Sequence, residues 1–357
     1  MLAAAWFTAA QRPEAQERVI LEYADTLRSR GEERELIGSV RVRRGETRIQ
    51  ANRALHSPEQ GLLRLTGSVR LDEPTRRVRS QTMRYDEASG DFVASGAVDV
   101  HLGDSLRIRC ATAHYREVTR LLELDGDVII DIYSDSSRIT GGWGRFNLGD
   151  SSGTIEGSPV YRLPELGTAD PETLVIESQR LQFSRRDRSA LFTGEVRLNR
   201  QDLLAVADTL YHEPDSNRTQ LGGAPLVWRG EDELSGNAIA LAYRGRQVSK
   251  MEVTGNAVAL SLAREGDDRR NRLSGRSLVM EMIDDSTRFI QVAGNAVGRY
   301  FVWDENESYQ GLNLATGDTI SILVVAERSR RIEIVGRANG SFYPAGMEPM
   351  EALETPL

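Results

Sequence analysis

Four histidines, one cysteine and 53 acidic side chains are the groups in this 357-residue chain that could do chemistry. The histidines, His56, His101, His114 and His212, show no metal-ligand spacing, and neither His-Glu-x-x-His nor Cys-x-x-Cys occurs. Asp125-Gly126-Asp127 and Gly266-Asp267-Asp268 set carboxylates beside glycine as calcium loops do. Neither belongs to a full twelve-residue loop, and turns favour Asp and Gly for backbone reasons alone. Gly141-Gly142-Trp143-Gly144 is not followed by Gly-Lys-Ser/Thr and opens no helical pattern, so it is no phosphate cradle. No Gly-x-Ser-x-Gly nucleophile elbow is present. Cys110 stands where other parts of the chain carry Ala51, Ser80 and Gly141, which makes it a small core residue rather than a reactive thiol. The expectation is a protein that is not an enzyme, with no catalytic residue, metal or cofactor.

What the chain does repeat is a phrase: an apolar run, a glycine, then apolar residues two apart. It reads Leu36-Ile37-Gly38-Ser39-Val40-Arg41-Val42, then Leu65-Thr66-Gly67-Ser68-Val69-Arg70-Leu71, then Val93-Ala94-Ser95-Gly96-Ala97-Val98-Asp99-Val100. It returns at Gly126, Gly157, Gly194, Gly223, Gly255, Gly294 and Gly336, each 29 to 42 residues from the last. A period in that range marks a stacked repeat architecture. Within a unit, Val40 and Val42 alternate with Arg41 and Arg43, the period of a half-buried strand, and Arg44-Gly45-Glu46 makes a turn.

The next strand of each unit has apolar residues whose parity slips. Ile49 and Ala51 are followed by Ala54 and His56; Val78 and Ser80 by Met83 and Tyr85; Ile108 and Cys110 by Ala113 and Tyr115. Ile139, Gly141, Gly144 and Phe146 repeat it, as do Ile176, Ser178, Leu181 and Phe183, and Leu204, Val206, Thr209 and Tyr211. An uninterrupted strand keeps one parity, so the slip calls for a bulge or corner, and the small residue before it suits a tight bend between two sheets. Each unit then runs along one sheet, bends and feeds the other. The fold class expected is all-β, with two facing sheets and a row of apolar side chains between them.

A net charge of −8 sets nucleic acid aside as a partner, because phosphate binding calls for a basic surface. No apolar run has the length of a membrane-spanning helix. Leu2 to Ala10 is apolar and ends in small residues, like the core and cleavage site of an export signal without its positive leader. The organisation expected is a signal remnant and loose N-terminus over 1–18, repeats over 19–157, an irregular connection with three prolines over 158–173, repeats over 174–343, and a disordered proline-rich tail over 344–357.

The Gly-x-Val-x-Val opening, the Ile-x-Ala-x-x-Ala-x-Tyr strand and the closing Leu-x-Leu-x-Gly together resemble the OstA-like repeats of the periplasmic lipopolysaccharide-transport proteins, of the LptA, LptC and LptD N-terminal domain type. Leu204 to Tyr211 followed by Leu221-Gly222-Gly223 carries the resemblance in the middle of the chain. Gly255-Asn256-Ala257-Val258, Gly294-Asn295-Ala296-Val297 and Asn313 to Ile320 carry it later. The likeness spans roughly 19–343, about twice one LptA-like domain. It implies a repeat-built, twisted, V-shaped β-jellyroll with an apolar groove. It implies a periplasmic, non-enzymatic carrier or bridge that shields the acyl chains of lipopolysaccharide or a related lipid between inner and outer membranes. It also implies partners of the same family, joined end to end by strand pairing.

Alternation independently nominates the inward row, and with it the candidate lipid-binding groove: Val40, Val42, Val69, Leu71, Val98, Val100, Ile108, Val128, Ile130, Val196, Leu198, Val258, Leu260 and Val297. If the sheets splay, this row is an apolar face that needs a lipid or a partner. If they close, it is a dry sandwich core, and the chain is a structural β-solenoid scaffold or adhesion module. A polysaccharide-acting parallel β-helix would call for a recurring acidic ladder, which the chain lacks.

Overall fold

The computed structural model describes residues 19–164, 173–200, 203–245, 247–264, 266–284, 287–304, 308–325 and 328–349. The chain is all-β, and its strands pair antiparallel. It falls into two compact units, Met1–Gly126 and Asp127–Leu357.

The first unit holds β1 (Ile20–Tyr23), β2 (Thr26–Arg30), β3 (Glu33–Arg44), β4 (Thr47–Ser57), β5 (Leu62–Asp72), β6 (Arg76–Asp86), β7 (Phe92–Leu102) and β8 (Leu106–Arg116). Strand β9 (Leu121–Ile132) contains the division at Gly126. From β3 to β8 each strand pairs with the next, and every pairing slips at the same place. Between β3 and β4, Leu36 faces Ala54 but Val40 faces Ala51, so four residues on the glycine strand match three on its neighbour. Between β7 and β8, Ala94 faces Ala113 and Val98 faces Cys110, with the same count. The extra residue is a β-bulge, and it is what the parity slip in the sequence required.

The bulge is built by two successive left-handed residues. Gly96 and Ala97 have φ of 82° and 47°, and the same pair of signs recurs at Gly38-Ser39 and Gly67-Ser68. Only glycine suits the first position here, because a Cβ on Gly96 would lie 2.7 Å from Gln81 Oε1 and 2.8 Å from its Cβ. The small residue on the neighbouring strand has an equally local cause. A Cβ on Gly275 would press against Val292 Cγ1 at 2.5 Å, so that position is left open for the next strand's side chain.

The second unit continues with β10 (Ser137–Asn147), β11 (Ser152–Glu156), β12 (Val160–Pro164), β13 (Thr173–Glu177), β14 (Arg180–Ser184), β15 (Ser189–Arg200), β16 (Leu203–Glu213), β17 (Arg218–Gly222) and β18 (Leu226–Arg229). After these come β19 (Asp232–Ser235), β20 (Ala238–Arg244), β21 (Gln247–Leu262), β22 (Arg270–Met282), β23 (Thr287–Trp303), β24 (Tyr309–Val325), β25 (Arg328–Val335) and β26 (Asn339–Pro344). Here some strands are cut at the corner, which makes the two sheets explicit. Strand β10 pairs with β11 through Trp143–Asn147 and with β12 through Arg138–Thr140. Strand β15 likewise divides between β14 and β13, and β16 between β17 and β18. One sheet therefore takes the halves that precede each corner glycine, and the other the halves that follow. Of the stretch 158–173, Val160–Pro164 is strand β12, while 165–172 lie outside the described residues.

Aromatic rings fill the space between the sheets. Tyr161 of β12 meets Phe192 of β15 edge-on from the opposite sheet, with centroids 5.9 Å apart. Phe146 and Phe183 stack at 5.8 Å across β11, over Gly153, whose missing side chain makes room for both rings.

Candidate functional site

The inward face begins with the aliphatic residues that flank each bulge. Val40, Val42, Val69, Leu71, Val98, Val100 and Ile108 in the first unit are at most 3 % exposed. Val128, Ile130, Val196 and Leu198 in the second are at most 2 % exposed. These side chains form covered rows between sheets, and the sheets are closed over them.

Three candidates fall on the other face. Val258 and Leu260 are half-buried and Val297 is 43 % exposed, while Ala257, Ala259, Ala296 and Gly298 are the buried positions. In these repeats the residue two after the glycine is alanine and the valine comes third, so alternation turns the valine outward. The middle strand β16 is displaced in the same way. Leu203, Ala205, Ala207, Leu210 and His212 point inward, and Leu204 and Val206 outward.

The backbone passes between the sheets only along the corner, among the described residues. On the opposite side the described turns, such as those between β3 and β4 and between β6 and β7, join two strands of one sheet, so the contacts described across that side of each unit, the mouth, run through side chains. In the first unit, Arg44 at the end of β3 donates from Nη1 to Tyr85 Oη at 3.0 Å and from Nη2 to the Ala88 carbonyl at 3.3 Å. Arg76 at the start of β6 reaches across to β8, its guanidinium 3.7 Å from the Tyr115 ring centroid and 5.3 Å from that of Phe92. Glu73 holds Arg76 Nη2 at 2.6 Å and Glu117 lies at 3.7 Å. Burial works against the Arg76 charge, but Glu73 outweighs it and the group stays cationic. Burial raises the Tyr85 phenol, with Arg44 pulling the other way, so Tyr85 is neutral at physiological pH.

The second unit has its own bridges. Arg200 at the end of β15 lies 4.5 Å over the Tyr243 ring of β20. Arg288 at the start of β23 pairs with Asp232 of β19, Nη1 to Oδ2, at 2.9 Å. All four bridges join a residue of one sheet to a residue of the other. The sequence carried a partial signal for them: tyrosine recurs at the end of the parity-slipped strand, and arginine at strand ends, but which arginine meets which tyrosine depends on the corner.

The cysteine and the histidines have structural surroundings. Cys110 is buried, its Sγ donates to the Thr112 carbonyl at 3.2 Å, and burial pushes the thiol up to about 11. His56 meets Glu87 at 2.7 Å and His101 meets Asp99 at 3.2 Å. His212 is buried with Nδ1 3.0 Å from Thr219 Oγ1, and burial, helped by Arg200, pushes it down to about 4. No group of three or more His, Cys, Asp or Glu comes together to hold a metal among the described residues.

The outermost strands are different in character. Among the described residues, strands β1 and β2 pair only with β3, and Ile20, Leu21, Tyr23 and Leu27 are 42–53 % exposed. Strands β25 and β26 likewise pair only with β24 among the described residues, and Ile332, Val335 and Phe342 are 44–55 % exposed. Among the described residues each is a sheet edge that carries exposed apolar side chains.

No family model matches the chain, and no curated protein matches it. Among solved structures it is similar to LptH, the LptA-homologous periplasmic component of the conserved lipopolysaccharide transport device of Pseudomonas aeruginosa. The identity is 14 %, the TM-score is 0.33, and the match covers 40 % of this chain and 96 % of that one.

Proposed function

We propose that this protein is a non-enzymatic periplasmic carrier that shields lipid acyl chains, of lipopolysaccharide or a related lipid, between its two sheets. The observation that carries the reading is the one-sided construction of the apolar space. Its lining is apolar strand after strand, its corner is continuous backbone, and its mouth is bridged by arginine side chains. Parting such a mouth breaks a few polar contacts and no strand pairing, so a chain can replace the facing sheet as the cover of the same apolar row. The repeat phrase in the sequence, with its OstA-like resemblance, supports the same function. The uncovered edges at β1–β2 and β25–β26 are suited to strand addition by family partners, which would make the carrier one span of a bridge.

A test starts from protein purified without detergent and extracted for mass spectrometry. The reading expects co-purified lipid, or uptake of added lipopolysaccharide by the lipid-free protein; a clean protein that takes up none contradicts it. The burial of eleven of the row's residues, from Val40 to Leu198, at 3 % exposure or less favours a second reading, a closed-core scaffold. That reading expects no lipid in either experiment and retained association through the edges.

A further inference from the structure

We propose that the arginine bridges across the mouth are latches opened by an anionic amphiphile, whose charged group takes over the guanidinium while its chain enters between the sheets. This rests on the carrier reading above and adds the chemical class of the ligand and the residues that select it.

Arg44 and Arg76 are placed to do both jobs. Each sits at a strand end of one sheet and reaches the other: Arg44 to Tyr85 and the Ala88 carbonyl, Arg76 to the rings of Tyr115 and Phe92 while Glu73 holds it from its own sheet. On the far sheet Arg44 meets a phenol and a carbonyl, and Arg76 meets two ring faces and, at 3.7 Å, the Glu117 carboxylate; the neutral partners among these bind a cation more weakly than a phosphate does. The carboxylates that hold Arg76, Glu73 at 2.6 Å and Glu117 at 3.7 Å, lie in turns beside the mouth, and Glu117 is half exposed. An arriving phosphate offers two anionic oxygens at once in place of these ring contacts, and the fork of an arginine can bind both. The inward row lies directly behind: Val42 precedes Arg44 by two residues on the same strand, and Val78 follows Arg76 by two, both at most 3 % exposed. In the second unit Arg200 and Arg288 stand at the mouth in the same relation to Leu198 and Ile290. The exchange is between one set of acceptors and another, so it requires no covalent step.

Two amphiphiles with one chain length separate the headgroup from the tail. Dodecyl phosphate and dodecyl maltoside, each below micelle formation, are titrated calorimetrically into the lipid-free full chain. The expected result is binding of both, with the phosphate favoured by about tenfold, the worth of one good charge-assisted pair, and with that margin shrinking as salt is raised. In Arg44→Gln/Arg76→Gln the margin narrows, Arg200 and Arg288 being left in place, while maltoside binding strengthens, because the mouth of the first unit no longer resists opening. Equal binding of the two by wild type overturns the latch and leaves the carrier standing. No binding of either overturns both. Hydrogen exchange of the wild type provides the reading if the double variant does not fold. Amides of the mouth turns at 72–76 and 86–92 should exchange faster with dodecyl phosphate than with maltoside, and equal exchange contradicts the proposal.

Discussion

At the scale of single residues, the corner depends on one glycine in each repeat. Gly96 combines a φ of 82° with a site where a Cβ would meet Gln81 at 2.7 Å, whereas its neighbour at φ 47° already carries a side chain as Ala97. Gly96→Ala should therefore cost about 1–3 kcal/mol in urea unfolding, and Ala97→Gly should stay within about 1 kcal/mol of wild type. His212 makes a pH prediction. Its folded value is pushed down to about 4 while an unfolded histidine sits near 6.5. Above 6.5 both states are neutral and the stability is fully present. As the pH falls toward 4 the unfolded chain binds a proton that the folded one does not, and stability is lost. The difference is on the order of 3 kcal/mol, and it should be absent from His212→Asn when the two proteins are compared by urea unfolding at pH 7 and pH 4. A parallel loss in both would assign it to other groups.

At the scale of the strand, the face of each residue follows from counting away from the bulge. Ile49, Ala51 and Ala54 already displayed the slip in the sequence, and the ladders of β3 to β8 contain it at every step. The fold class was legible for that reason, since a parity break that recurs at one period has few other causes. Val258, Leu260 and Val297 were not legible, because a pattern of apolar residues does not say whether Ala257 or Val258 takes the first inward position. Only the two left-handed residues at Gly255-Asn256 settle the count, and they are backbone geometry. The bridges at the mouth were hidden more deeply: Arg76 and Tyr115 are 39 positions apart and meet because β6 and β8 present opposite halves to each other. The strand also yields a contrast to measure. Val98 is 1 % exposed between the sheets, so Val98→Asp buries a charge and should cost more than about 3 kcal/mol. Asp99 points outward into an ion pair with Arg107 at 2.9 Å, and Asp99→Asn should cost no more than about 1 kcal/mol. Equal costs would mean that Val98 does not face a closed core.

At the scale of the whole molecule, two properties bear on function: covered apolar rows with a mouth held by side chains, and uncovered edges. The edges predict association. Leu27 and Phe342 are each 53 % exposed on terminal strands, and Leu27→Lys with Phe342→Lys should lower the mass seen by light scattering at high concentration without changing the circular dichroism. Unchanged mass would remove the edges from any bridge. The covered rows carry the central claim, and a photoreactive lipid tests it with the protein unmodified. A phosphate-bearing lipid with a diazirine in its acyl chain is taken up and irradiated, and the labelled residues are mapped by mass spectrometry. The account predicts label on inward residues such as Val69, Leu71, Val98 and Val100; label confined to outward Leu204 and Val297, or to the terminal strands, would contradict it.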